Sequence, residues 1–360
     1  MPSPLARSDV EAVLAPLERA RPFPAQAFTD GAVFRFEESA IFGRAWLCAG
    51  REEEVALPGQ WLRVTVAGEP VLVVRGPDLH LRAFFDVCRH RGASIVGRAA
   101  CGRTLRFECP YHGWTYELDG RLASAPFTSG LANEAMRAVR VETWRGFVFV
   151  TLSDEAPALA EQMGATPPWL DALGPLRLGR RTAWTTRANW KLCVENFQES
   201  HHFPRVHRAL EALTPTRDAR TWLGGGRWLG GTMEIEDAET VSRTGRLEGR
   251  PLVGPRGRVH DAMLFPSLLT SLQPDYLLLY RLEPRAADET AITFDVWFHP
   301  AATDDAAIYE LWDEINAEDR AICEDQQANA SSRAFVPVCY ASVEEGMHAF
   351  DRLVAEAHAR

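Results

Sequence analysis

The order of apolar and polar positions divides the chain before any chemistry is considered. Near the N-terminus, Val10, Val13, Leu14 and Leu17 recur at helical spacing, with Ser8 placed to cap them. The stretch to about Phe36 reads as helix and loop. From Trp61 the period changes. Residues Trp61 to Val66 alternate, Gly68 to Pro70 turn, and Val71 to Val74 form a short apolar run. Short strands and turns continue to Phe147–Val150, so residues 41–155 are predicted to form a small all-β domain. The Pro- and Ala-rich segment 156–175, with Pro167-Pro168, is the linker candidate. Beyond it lie a helical stretch around Trp190 to Ser200 and a Gly-rich turn region, Gly224–Gly226 and Gly230–Gly231. Three β-like runs follow, Leu268 to Leu272, Tyr276 to Leu282 and Ala291 to Phe298, suggesting an antiparallel meander. Helical spacing returns from Asp304 to Asn329 and from Val343 to Ala359. Helices beside an antiparallel sheet make an α+β domain.

Composition narrows the function. The chain has 360 residues, enough for two or three domains, and a formal charge of −10. That balance argues against nucleic-acid binding, which needs a basic face. No apolar run approaches the roughly 18 residues of a membrane span. Asp9, Glu11 and Glu18 interrupt the N-terminus, so no signal peptide is read and a cytoplasmic protein is expected. Seven cysteines, an odd count, match a disulfide framework poorly. In a reducing compartment a cysteine close to a histidine is more often a metal ligand or a redox group.

Two such pairs exist. Cys88-Arg-His90 is followed, after eighteen residues, by Cys109-Pro-Tyr-His112. Both pairs lie on apparent loops between strands. Four ligands of two kinds can bind zinc or a two-iron cluster. A Rieske cluster takes two cysteines on one iron and two histidines on the other, so each pair would give one ligand to each iron. Cys101 matches no ligand position and is read as an ordinary buried thiol. Cys193 and Cys323 are read as core cysteines, and His80, His260, His299, His348 and His358 are given no role.

A second constellation starts at Glu195-Asn196 and runs through Glu199, His201, His202, Pro204 and His207. Glu199 and His202, three apart, share a face if the helix continues. Pro204 should end or kink it near Phe203. The break lets His207 turn back towards His202, whereas residues five apart on an unbroken helix diverge by about 140°. Two histidines and a carboxylate on one face of iron leave positions for O₂ and substrate. In the late helix, Leu311, Ile315, Asp319 and Ile322 form one stripe. An aspartate within an apolar stripe is costly unless paired or metal-bound. Asp319 is therefore the expected third ligand, and Glu314, Glu318 and Asp325 are read as solvated.

Cys88-Arg-His-Arg-Gly-Ala93 with Cys109-Pro-Tyr-His-Gly-Trp-Thr-Tyr116 resembles the two-loop signature of Rieske proteins. The Gly113-Trp114 version is similar to that of ring-hydroxylating and related oxygenases, and Gly92 and Gly113 fit tight loops. Glu195 to His207, with Glu318-Asp319 to Glu324, resembles the catalytic domain of the same family. There a tyrosine usually precedes the first histidine ligand; here it is His201, which is placed behind His202 rather than on the metal. The resemblance runs from about Phe42 to Phe350. It implies an N-terminal helical segment, residues 1–40, packing on a helix-grip catalytic domain, residues 156–360, beside a Rieske domain, residues 41–155. It implies a [2Fe–2S] cluster on Cys88, His90, Cys109 and His112, and a mononuclear Fe(II) on His202, His207 and Asp319, with Asn196 in the catalytic site. It implies O₂ as co-substrate, with electrons from NAD(P)H through a separate reductase, with or without a ferredoxin. No nicotinamide or flavin motif appears, since Gly224–Gly226 lacks the required pattern.

The family also implies a homotrimer. Glu199 would then bridge His112 of one subunit to His202 of the next and orient both rings. Glutamate there is similar to the branch acting on choline, carnitine and betaines by mono-oxygenation or N-demethylation. A cationic substrate wants aromatic faces, and Trp222, Trp228, Tyr280 and Trp297 are available. An aromatic substrate would use the same residues, so ring hydroxylation is the alternative. A Rieske electron carrier is the remote one, having no use for two histidines and an aspartate.

Overall fold

The computed structural model describes the chain except residues 1, 132–133, 172, 225, 248–249 and 253–256. Gly225, in the middle of the triglycine turn, lies outside the described residues. The chain forms two compact units, one of residues 42–161 and one of residues 1–41 with 162–360.

The 42–161 unit holds a seven-stranded antiparallel sheet in the order Leu47–Arg51, Phe147–Thr151, Ala138–Trp144, Leu81–Phe85, Glu69–Arg75, Gln60–Val66, Cys101–Arg103. The predicted hairpin pairs Trp61 with Val74 and Val66 with Glu69. Its turn is Ala67-Gly68, both at positive φ, so Glu69 and Pro70 belong to the strand. Two positive-φ residues match the right-handed twist of the strands they join. Cys101, read as buried, is exposed on the edge strand. A second sheet of three short strands, Phe107–Glu108, Thr115–Tyr116 and Leu122–Ser124, frames the second Cys–His pair.

The other unit holds a second seven-stranded antiparallel sheet. Its order is Arg177–Thr186, Glu289–Phe298, Tyr276–Ala286, Leu268–Leu272, Arg258–Leu264, Trp228–Glu234, Arg220–Leu223. The three predicted runs form its centre. Gly230 and Gly231, read as a turn, lie inside a strand instead. A Cβ on Gly230 would stand 2.1 Å from the Asp261 carbonyl oxygen, so glycine here marks close approach of the next strand's backbone. The helices Ala306–Ala330 and Glu345–Ala359 follow the sheet.

The N-terminal helix runs from Arg7 to Leu14 and has no side-chain cap; Ser8 lies within it. Pro16 cannot continue it, which leaves Leu17 outside. Arg352 and His348, on the last helix, bond the carbonyls of Leu14 and Val13. Farther on, Glu37 pairs with Lys191 at 2.7 Å, both fully buried, and accepts from the Trp190 indole. Burial pushes the Glu37 carboxyl up, but Lys191 and the bonds from His358, Lys191 and Trp190 outweigh it and hold the group below the usual range. His348 and His358 are thus core residues that tie chain ends together.

Candidate metal centres

The two Cys–His loops of the 42–161 unit have the same internal bonding. Cys88 N–H donates to Ala93 O and Gly92 N–H to Cys88 O, at 2.8 and 2.9 Å. Cys109 N–H donates to Trp114 O and Gly113 N–H to Cys109 O, at 2.8 and 3.0 Å. Gly92 and Gly113 close these turns at φ of 73° and 70°, where a side chain would be strained. Buried Asp86 fixes the first loop, accepting from Arg63, Ser94 Oγ and the Ile95 amide. Both cysteines are buried and both histidines are exposed. The two imidazoles approach each other through Nδ1, 3.1 Å apart, and His90 stacks on Trp114.

The donor chemistry fits a cluster. Cys88 Sγ lies 3.3 Å from the Tyr116 hydroxyl, and the Tyr111 and His112 amides point at Cys109. Burial pushes the Cys109 thiol up, while those amides favour a thiolate. Desolvation, then the charges of His112 and Arg91, lower His90, leaving a neutral ring with a free lone pair at neutral pH. Donors to sulfur and neutral imidazoles are what an iron–sulfur cluster of mixed ligation needs.

In the other unit the helix starting at Trp190 is capped by Asn189, whose side chain accepts from the Lys191 amide. It ends at Phe197, seven residues before Pro204, not at Phe203 as predicted. The Gln198 carbonyl packs against Gly346, where a Cβ would come within 2.7 Å, and the chain leaves the helix there. Glu199 and His202 therefore meet across a turn rather than along a helix. Glu199 accepts from the His202 amide at 3.2 Å and contacts His202 Nδ1 at 2.5 Å. Its second oxygen lies 2.8 Å from His201 Nδ1. Burial raises the Glu199 carboxyl, but the two histidines outweigh it and hold the group below its ordinary value.

His207 follows the second turn, and Asp319 reaches across from the helix Ala306–Ala330. Ligand atoms of His202, His207 and Asp319 lie within 4.8 Å of one another. His207 Nε2 is 2.8 Å from Asp319 Oδ1, and His202 Nε2 is 3.8 Å from it. That His202 nitrogen is buried without a hydrogen-bond partner. Glu318, read as solvated, contacts His207 Nδ1 at 2.7 Å. An imidazole has two nitrogens on opposite edges, so adjacent helix residues can each reach one. Burial lowers His207, yet Asp319 and Glu318 outweigh it and raise its proton affinity. The same field favours a metal cation. With Glu199 and Glu318 accepting at Nδ1, both rings present an Nε2 lone pair to one point, as a two-histidine, one-carboxylate iron site requires. Glu318→Gln should loosen Fe(II) binding about 10–100-fold, measured by iron titration, with the visible spectrum of the cluster unchanged.

A cavity of about 400 Å³ opens over these residues. Asn196 lines it. Of the four aromatics nominated from sequence, only Tyr280 does. Trp228 and Trp297 are in the core, Trp297 on the strand face opposite Ile292, and Trp222 stands edge-on to Trp169. Trp184, Phe197, Phe203 and Trp312 take their places. Cys193 also lines the cavity, and its free thiol shares a hydrogen bond with that of buried Cys323.

Residues 175–359 match the ring hydroxylating alpha subunit (catalytic domain), and residues 45–140 match the Rieske [2Fe–2S] domain. The chain belongs to the ring-hydroxylating alpha-subunit family. As such a Rieske non-haem iron oxygenase, it carries a [2Fe–2S] cluster and a mononuclear iron, takes a small-molecule substrate and uses O₂. It is 27% identical to the glycine betaine monooxygenase oxygenase subunit of Pseudomonas aeruginosa, over 89% of this chain and 85% of the relative. It is 28% identical to the carnitine monooxygenase oxygenase subunit of Escherichia coli, over 87% and 85%. A crystal structure of the quaternary ammonium Rieske monooxygenase CntA with an inhibitor superposes with a TM-score of 0.85 at 26% identity, covering 99% of this chain and 100% of that one. Membership in this oxygenase family removes the zinc module and the electron carrier as readings. Among the described residues, no helix is long and apolar enough to cross a membrane.

Proposed function

We propose that this oxygenase hydroxylates or oxidatively N-demethylates a small quaternary ammonium compound. The observation that carries the reading is the cavity, which Tyr280, Phe197, Trp184 and Trp312 line together with the candidate iron ligands. A methylammonium group is attracted to such faces, most strongly where water is excluded. The similarity to glycine betaine and carnitine monooxygenases supports the same substrate class.

In this reading Cys88 and Cys109 hold one iron of the cluster, and His90 and His112 hold the other. His202, His207 and Asp319 hold the mononuclear iron. When bound, the cluster supplies electrons and the single iron supplies O₂ activation. Glu199 orients His202 and bridges it to His112 of a neighbouring subunit in a homotrimer. Asn196 contributes to the cavity wall beside the ligands. A separate reductase, with or without a ferredoxin, delivers electrons from NAD(P)H.

A single-turnover assay on the reduced, iron-loaded protein tests the reading. The substrate panel holds quaternary ammonium compounds alongside aromatic acids, with products identified by mass. Demethylated or hydroxylated ammonium product is expected. Turnover confined to the aromatic acids would replace this reading with ring hydroxylation.

A further inference from the structure

One cavity residue has no place in the metal chemistry. Asp261 lies on the strand Arg258–Leu264 and faces the cavity. Its cross-strand neighbours are Gly231 on one side and Ser271 on the other. One has no side chain and the other has only a hydroxyl, and the cavity opens over this strand face. Ser271 gives its one side-chain hydrogen bond. Among the described residues, no lysine, arginine or histidine pairs with it.

The other cavity carboxylates are engaged or wet. Glu199 is held by His201 and His202, and Asp319 by His207. Glu345 is exposed. Tyr280 lines the same cavity and feels the charges of both Asp319 and Asp261. A carboxylate partly withdrawn from water without a counter-charge is costly, and the cost is recovered when a cation arrives. Burial pushes Asp261 up to about 6, so the group is largely ionised at neutral pH.

We propose that Asp261 is the counter-ion for the substrate's cationic head, so that the cavity selects a positively charged amine over a neutral molecule of the same shape. This rests on the ammonium reading above and adds to it a residue that sets specificity. The aromatic faces supply fit, and Asp261 supplies discrimination by charge.

Binding to the oxidised, iron-loaded enzyme, followed by calorimetry, tests it with choline and its neutral isostere 3,3-dimethylbutan-1-ol as probes. The wild-type enzyme should prefer choline about thirtyfold or more. Asp261→Asn, which keeps the shape and can still bond Ser271, should lose most of that preference with iron content unchanged. Asp261→Glu should keep part of it. Preference intact in Asp261→Asn would overturn the assignment while leaving the ammonium reading standing. No preference in the wild-type enzyme would overturn both. Should Asp261→Asn fail to fold, Ser271→Ala decides. The Ser271 hydroxyl favours the ionised carboxylate, so without it less of Asp261 is charged at neutral pH and the preference should fall; an unchanged or larger preference would overturn the proposal.

Discussion

Asp319→Ala should reduce substrate oxidation by about a thousandfold or more while the protein keeps its cluster colour. Asp319 is the sole carboxylate among the three atoms that converge on one point, and its loss leaves two imidazoles facing empty space. Neutral nitrogen donors alone hold Fe(II) weakly, so the variant should purify with the cluster and little mononuclear iron. His207→Ala should behave the same way, since it removes the ring that both Asp319 and Glu318 contact. Cys109→Ser gives the opposite pattern. It should abolish the visible absorption and electron-driven turnover, yet leave Fe(II) binding in the other unit intact. Metal analysis beside the visible spectrum separates the two outcomes. Full turnover by Asp319→Ala would remove it from the ligand set.

The second large effect is expected at Glu199. Glu199→Gln retains an oxygen able to accept from His202, so both metals should stay bound. It removes the negative charge and one acceptor, and coupled turnover should fall about 10²–10⁴-fold. Stopped-flow oxidation of the reduced cluster, with substrate and O₂ present, reads this step directly. A normal rate would withdraw the bridging role and leave Glu199 as the residue that orients His202. The glutamine variant is preferred to Glu199→Ala, which would also break the bond to the His202 amide and disturb the turn.

These predictions rest on residues that were legible because each carries scarce chemistry at a fixed spacing. Cys–His pairs on short loops and histidines around a proline are visible without a fold. Glu318 was not, because one hydrophobic stripe of a helix can point to only one of two adjacent acids, and the direction of the partner imidazole decides the other. The aromatic lining was misread for a related reason. Strand parity and register choose which tryptophans face the cavity, and sequence gives neither for a strand that begins unrecognised. Arg177–Thr186 went unseen because three arginines and three threonines hide its period, although it pairs along its whole length with Glu289–Phe298. The Gly230-Gly231 strand was hidden by residues that usually signal turns. The long centre of the same sheet was plain, being apolar and rich in leucine and aromatic residues.

The burial of Glu37 against Lys191, and of the first helix against the last, also sets an order in time. During synthesis residues 42–161 emerge complete and can collapse on their own. Residues 1–41 must wait, because their partners lie in residues 162–360 and are made afterwards. Cluster assembly can therefore begin on a nascent chain whose iron pocket has not yet been translated. Maturation would then start with residues 42–161, and residues 1–41 would find their places only together with residues 162–360.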